Sequence, residues 1–153
     1  MKQNFLFALL ICCGILSCSD GQLPTADYRV VPLPQEITLD DEKDFILDKN
    51  TAIVYNGDAE MRRNAEFLAQ YIKESTGLEL SVTDKESARA ISLAIGNAGE
   101  NDEGYTITVN GKGVNITGSS AAGVFYGIQT LRKSLPVTDA EKISLPAVTI
   151  KDH

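Results

Sequence analysis

The fold is decided by the stretch EGYTITVNGKGVNITGSSAAGVFYGIQTLRKSL, residues 103–135. Apolar and polar side chains alternate at residues 105–109 and again at residues 114–117. A period of two predicts β-strands, and the Asn110-Gly111 pair between the two runs is typical of a tight hairpin turn. We therefore expect a hairpin with one polar and one apolar face. The apolar face would contain Tyr105, Ile107, Val109, Val114 and Ile116.

The same stretch continues as a helix, because Ser119-Ser120 offers an N-cap and apolar residues then recur at helical spacing. We expect this helix to run from Ser120 to Leu135. Its core-facing arc is predicted to contain Ala121, Val124, Phe125, Ile128, Leu131 and Leu135. An amphipathic helix must bury such an arc, so the helix should cover the apolar face of a sheet.

A second stripe of this helix contains only small residues, namely Gly123, Gly127, Thr130 and Ser134. We expect this stripe to point away from Phe125 and from the sheet. A glycine in an exposed helix interior costs about 1 kcal/mol relative to alanine. That cost is understandable if another backbone must approach closely, so the stripe is predicted to belong to a docking face.

Another helix is predicted from Ala59 to about Thr76, with Asp58 as its N-cap and Gly77 as its C-terminal cap. Its core stripe is expected to contain Met61, Ala65, Leu68, Ala69 and Ile72. Phe67 and Tyr71 fall outside that stripe, and we assign both to the same docking face. The alternative is that the two helices simply pack these stripes on each other, as neighbouring helices often do.

The remaining apolar runs are short and predict further strands. They lie at residues 37–39, 45–47, 52–55, 78–82, 90–95 and 143–150. Pro146 interrupts the last run, which suits an edge strand or an exit from the domain. Strands joined by short turns indicate an α+β domain, with a mainly antiparallel sheet and two helices packed on one of its faces as a two-layer sandwich.

The N-terminus has the pattern of a bacterial lipoprotein signal peptide, predicted for residues 1–17. A lysine precedes the apolar run from Phe5 to Leu16, and Ser17 stands directly before Cys18. The run is too short for a bilayer span, which needs about 20 apolar residues. We therefore expect cleavage before Cys18 and attachment of lipid to its thiol.

Residues 18–29 are mostly polar and are predicted to tether the lipid to a folded domain at residues 30–150. The expected location is outside the cytoplasm, with the chain anchored at a bacterial membrane and the outer membrane favoured. The membrane, reached through the lipid, is thus one predicted partner.

Charge and cysteine content exclude several functions. The net charge is −7, whereas nucleic-acid binding requires clustered lysine and arginine, so no nucleic-acid partner is expected. Cys12 and Cys13 lie inside the predicted signal peptide, which leaves neither a disulfide framework nor a thiolate metal site. We expect no metal and no cofactor.

The chain offers no convincing catalytic residues. Asp102-Glu103 is an adjacent acidic pair, but it lies in a predicted loop before a strand and is interpreted as solvated. His153 is the only histidine and the last residue, which leaves no basis for a nucleophile-histidine arrangement. Gly111-Lys112-Gly113 begins like a dinucleotide-binding loop, yet Ile116 occupies the place of the third glycine.

Three stretches carry a resemblance to a known family: VVPLPQEITL at 30–39, the hairpin and helix at 103–135, and ISLPAVTIKDH at 143–153. Together they resemble the N-terminal accessory domain of family 20 glycoside hydrolases, the β-N-acetylhexosaminidases. The resemblance implies a non-catalytic domain beside a (β/α) barrel that removes terminal N-acetylhexosamine. That barrel is expected in the same polypeptide, starting after residue 153, and its catalytic Asp-Glu pair would lie there.

Two alternatives remain open at this stage. The accessory domain of family 84 O-GlcNAc hydrolases has a similar helix, comparable with YGIQTL at residues 126–131. The chain could also be a stand-alone, lipid-anchored module that binds a glycan or a partner. Aromatic residues displayed on a polar surface would favour that second alternative, but the chain has no tryptophan, and its tyrosines and phenylalanines mostly fall at core-like positions.

Overall fold

A computed structural model describes residues 22–99 and 101–153, which form nine strands and two helices. The strands are β1 (Glu36–Leu39), β2 (Phe45–Asp48), β3 (Ala52–Tyr55), β4 (Ser81–Thr83), β5 (Ala90–Ile95), β6 (Tyr105–Asn110), β7 (Gly113–Gly118), β8 (Lys142–Leu145) and β9 (Val148–Asp152). The helices are α1 (Ala59–Thr76) and α2 (Ala121–Ser134). The predicted signal peptide and Cys18 lie outside the described residues.

Seven strands form one sheet in the order β1-β9-β6-β7-β5-β3-β4, and β2 pairs with β8 in a separate ribbon. In one half of the sheet, adjacent strands in the order β1-β9-β6-β7 pair antiparallel. In the other half, adjacent strands in the order β7-β5-β3-β4 pair in parallel. With the antiparallel ribbon, four of the seven pairings are antiparallel. The predicted α+β sandwich with a mainly antiparallel sheet is confirmed, and its parallel half is an addition to that prediction.

The hairpin of β6 and β7 is confirmed. Ile107 pairs with Ile116 and Val109 with Val114, and all of these side chains are buried. At the turn, the side-chain oxygen of Asn110 accepts a hydrogen bond of 3.0 Å from the backbone N–H of Lys112. The alternating residues therefore place the apolar face of the hairpin beneath α2.

The predictions for α1 are also confirmed. The Asp58 carboxylate accepts hydrogen bonds from the N–H groups of Glu60 and Met61, at 2.9 and 3.3 Å. Gly77 ends the helix with a φ of 73°, a left-handed conformation that glycine adopts without strain. The stripe of Met61, Ala65, Leu68 and Ile72 is fully buried, while Ala69 is half-buried at its edge.

The last predicted strand is two strands in two different sheets. Its first part is β8, which pairs with β2, and its second part is β9, which lies between β1 and β6. Pro146 stands between them, where its missing N–H and fixed φ suit the change of sheet. Its carbonyl accepts a hydrogen bond of 2.8 Å from the Tyr28 hydroxyl.

The folded domain begins earlier than residue 30. Ala26, Tyr28 and Val30 are buried, and the N–H of Ala26 donates to the carbonyl of Ser144 at 2.9 Å. The N–H of Asp27 also donates to the last residue of α2, at 2.9 Å. The second half of the expected tether is thus an extended segment of the fold, which the alternation of Ala26, Tyr28 and Val30 could have indicated.

The core lies between the sheet and the helical layer. The α2 helix packs on β5, β6 and β7, and α1 packs on β3, β4 and β5. Within residues 22–99 and 101–153, neither helix combines the length and apolar character that crossing a bilayer requires.

Candidate docking surface on the two helices

The small-residue stripe of α2 faces the sheet. Gly123, Gly127, Thr130 and Ser134 are all buried. A Cβ atom at Gly127 would lie 2.6 Å from Cγ2 of Ile116 and 3.3 Å from the ring of Tyr105, and one at Gly123 would collide with the backbone carbonyl of Gly104. The prediction that this stripe points away from the sheet is therefore wrong. Its glycines serve the close approach of α2 to β6 and β7.

The polar members of the stripe are satisfied inside the domain. The hydroxyls of Thr130 and Tyr105 are 2.7 Å apart, and the Ser134 hydroxyl donates to the carbonyl of Thr130 at 2.8 Å. Burial raises the pKa of the Tyr105 hydroxyl, because the ionised form would lose its hydration. These contacts pair the polar side chains of the stripe with groups of the domain itself.

A different set of side chains lies on the outer side of the helical layer. We call Phe67, Tyr71, Phe125 and Tyr126 the aromatic face. Phe67, Phe125 and Tyr126 are 37%, 36% and 43% exposed, and Tyr71 is half-buried. The Phe67 and Phe125 ring centroids are 5.5 Å apart, and those of Phe125 and Tyr126 are 6.2 Å apart. Phe67 and Tyr71 thus lie on a continuous aromatic surface.

This surface joins both helices, which run parallel to each other. The Asn64 side-chain amide donates to the Ala121 carbonyl at 2.9 Å near the start of α2, and Phe67 meets Phe125 one turn further on. Phe125 had been predicted for the core, and that assignment is wrong. The helix is rotated so that its glycines and Val124 face the sheet, and a bulky ring has no room there.

Arg132 completes the surface near the C-terminus of α2. Its guanidinium carbon lies 4.7 Å from the ring centroid of Tyr71 and 5.9 Å from that of Phe67, within the range of cation–π interaction. Its Nε atom is buried and has no hydrogen-bond acceptor. In the part of the chain that the structure describes, Arg132 forms no ion pair.

A cavity of about 460 Å³ lies beside the aromatic face. Tyr126, Gln129 and Lys133 of α2 line one side, and Asp152 and His153 at the end of β9 line another. The chain therefore leaves β9 next to the outer side of α2. Sequence reasoning did not identify Tyr126 or Arg132, although Tyr126 lies outside the predicted core arc and could have been noted as an aromatic residue on the outer side.

The acidic pair remains in a loop. Asp102 and Glu103 are exposed, and the Asp102 carbonyl accepts a 2.6 Å hydrogen bond from Ser120, the N-cap of α2. This loop thus contacts the N-terminus of α2 through its backbone. His153 is exposed, and no group of three potential metal ligands occurs among residues 22–99 and 101–153.

The chain is similar in sequence and fold to several hexosaminidases. The chain is 33% identical to a beta-hexosaminidase of Porphyromonas gingivalis over 168 residues, which covers 99% of this chain and 21% of that protein. The GH20 beta-N-acetylhexosaminidase of Streptomyces coelicolor A3(2) superposes with a TM-score of 0.68 at 34% identity, over 81% of this chain and 26% of that chain. The N-acetyl-beta-hexosaminidase of Streptomyces plicatus gives 0.70 at 32% identity, with the same coverage.

The chain spans about a fifth to a quarter of the length of these relatives. The sequence profile of "Glycosyl hydrolase family 20, domain 2" matches residues 27–153, which is nearly all of the described part. The match begins at Asp27, in agreement with the burial of Ala26 and Tyr28 against the core. The resemblance to family 20 is confirmed, and the family 84 alternative is not favoured. The chain belongs to glycosyl hydrolase family 20, as its domain 2.

Proposed function

We propose that this chain is the non-catalytic N-terminal domain of a β-N-acetylhexosaminidase, which hydrolyses terminal N-acetylhexosamine residues of glycans. The observation that carries the proposal is the domain 2 match over residues 27–153, in a chain that spans only a fifth to a quarter of its hexosaminidase relatives. In this proposal a catalytic barrel follows in the same polypeptide, and the present domain supports it.

The aromatic face is the surface on which the barrel would lie. Its rings lie on the outer side of the helices and form a contiguous apolar patch that is partly exposed to solvent. Such patches typically mark interaction sites. The end of β9 at Asp152 lies across the cavity from Tyr126, so a segment following His153 would emerge beside this face. Phe67 and Tyr71 keep their predicted docking role in this proposal, and Phe125 and Tyr126 replace the glycine stripe.

In this proposal the barrel carries out catalysis, and Asp102-Glu103 has no catalytic role. Both acids are exposed, and a general acid needs a site that tunes its pKa and positions it on the substrate. The purified chain should release no chromophore from an aryl N-acetylglucosaminide, while the full-length polypeptide should release it. Glu103→Gln should leave the full-length activity within twofold of the parent, and release by the chain itself, abolished by Glu103→Gln, would overturn the proposal.

We also propose that Cys18 is acylated and anchors the protein at a bacterial membrane. The support is the sequence pattern of an apolar run followed by Ser17-Cys18. Cys18→Ser should shift the protein from the membrane fraction to the soluble fraction in its native host. Unchanged membrane association and electrophoretic mobility in that variant would refute the anchor.

A further inference from the structure

We propose that Arg132 binds a carboxylate of the catalytic barrel and fixes the position of the barrel on the aromatic face. This inference rests on the proposed function, because it assumes that the barrel covers the helices. It identifies Arg132 as the residue that fixes the orientation of an otherwise apolar contact. It also identifies the partner group as a carboxylate.

The first observation is that the guanidinium is held in place before any partner arrives. The rings of Tyr71 and Phe67 flank it at 4.7 and 5.9 Å, measured from the guanidinium carbon to each centroid. Arginine can stack on aromatic faces and still present its in-plane N–H groups to an acceptor. A cation ordered in this way loses little conformational entropy when it binds a carboxylate.

The second observation is an unmet hydrogen bond. The Nε atom of Arg132 is shielded from solvent and has no acceptor, so hydration does not supply the partner that this N–H needs. Leaving a buried donor of a charged group unsatisfied is costly. The Nη groups of the same guanidinium are not among the buried atoms and have no hydrogen-bond partner within the described residues, so they are the donors that an external oxygen can reach.

The other arginines show how this chain usually treats such groups. Arg29, Arg62 and Arg89 each pair with a carboxylate, at 2.6, 2.8 and 3.5 Å. Arg63 has no such partner in the described part of the chain, but its side chain carries no buried, unsatisfied nitrogen. Arg132 alone among these five combines a missing counter-ion with a buried N–H donor.

A carboxylate fits this site better than a backbone carbonyl. The two Nη–H groups at the end of arginine form a fork that matches the two oxygens of a carboxylate, and such charge-assisted pairs are shorter and stronger than neutral hydrogen bonds. A single carbonyl oxygen would accept from one Nη group and leave the positive charge unpaired. The complementary group is thus an Asp or Glu on the barrel surface that faces α2.

The test uses the full-length polypeptide and the rate at which a protease cuts the junction after residue 153. Arg132→Met keeps most of the apolar stem and removes the charge, and it should raise the cleavage rate about tenfold, the factor expected from losing one charge-assisted hydrogen bond. Arg62→Met is the matched control, because Arg62 pairs with Glu66 on an exposed flank of α1, and it should change the rate less than twofold.

Phe125→Ser separates this inference from the proposed function. If both Phe125→Ser and Arg132→Met raise the cleavage rate, the inference is supported. If only Phe125→Ser does, the docking of the barrel stands and the role of Arg132 is refuted. If neither does, the aromatic face is not the docking surface, and both proposals fall.

A second measurement covers the case in which Arg132→Met does not fold. Arg132→Lys keeps the charge and introduces an amine that a carbodiimide can couple directly to a bound carboxylate. Mass spectrometry of the treated full-length polypeptide should find this amine joined to an Asp or Glu beyond residue 153. Coupling only to acids within residues 22–153, or no coupling at all, would refute the proposal.

Discussion

The two sides of α2 differ in the size of their side chains, although both contain apolar residues. The side toward the sheet carries Gly123 and Gly127, whose missing side chains allow the backbone to approach β6 and β7. The outer side carries Phe125 and Tyr126, which are 36% and 43% exposed. Small residues therefore mark close packing inside the domain, and large aromatic residues mark its exposed outer surface.

The largest loss of stability is expected from a substitution on the side of α2 that faces the sheet. Gly127→Leu should lower the free energy of unfolding of the chain by about 4 kcal/mol or more, above the usual overpacking cost, because the new side chain meets Ile116 and Tyr105. Urea unfolding measures this loss. Ala122→Leu is the control, because Ala122 lies on the exposed side of the same helix and its replacement should be nearly neutral. Equal losses in the two variants would show that α2 is oriented differently.

Truncating one side chain on each side of α2 compares how much each side contributes to the stability of the chain. Ile128→Ala removes a fully buried side chain and should cost about 3 kcal/mol. Phe125→Ala removes a larger but partly exposed ring and should cost only about 1 kcal/mol in the chain by itself, since part of the ring already contacts solvent. A loss for Phe125→Ala as large as that for Ile128→Ala would make Phe125 part of the core.

A smaller effect is expected at the hydrogen bond beneath the glycine stripe. Tyr105→Phe removes the hydroxyl that lies 2.7 Å from Thr130 and should cost about 1 kcal/mol, because the Thr130 hydroxyl loses its partner in a buried site. Thermal or urea unfolding at neutral pH measures the change. Unchanged stability in Tyr105→Phe would show that this contact contributes nothing to holding α2 on the sheet.

The same buried tyrosines predict how stability depends on pH. Burial raises the pKa of both Tyr28 and Tyr105 in the folded state above the ordinary value of about 10. Their stabilising contribution is therefore complete below pH 10 and is lost as the pH rises through the folded-state values. Urea midpoints should be level from pH 8 to 9 and should fall above pH 10, and Tyr105→Phe should make that fall shallower.

Local signals predicted the elements well. The hairpin of β6 and β7 follows from alternation around Asn110-Gly111, and α1 follows from its cap at Asp58 and its buried stripe. Each of these features is encoded within a few neighbouring residues. The α+β class followed from them, whereas the family was indicated by the resemblance of three stretches to family 20.

Long-range contacts account for what the sequence did not predict. The rotation of α2 about its axis depends on contacts with the Ile116 side chain and the Gly104 backbone. Both residues lie outside the helix, so the residue pattern within the helix does not predict these contacts. The parallel pairing of β5 with β7 and the assignment of β8 and β9 to different sheets are likewise decided between distant segments. The candidate site was therefore predicted only in part: Phe67 and Tyr71 lie outside the core stripe of α1, as expected, their docking role stays a prediction, and α2 was turned to the wrong side.

Hydroxyl-radical footprinting tests the central claim, that the helices dock a barrel through their outer side. Oxidation of Phe67, Phe125 and Tyr126 would be measured by mass spectrometry in the chain alone and in the full-length polypeptide. Leu39 is the internal reference, since it is 69% exposed and pairs with the opposite end of β9 from the chain exit. If the barrel covers the outer side of the helices, the three aromatic residues should be protected at least fivefold in the full-length polypeptide, with Leu39 unchanged. Equal oxidation of these rings in both proteins would contradict it.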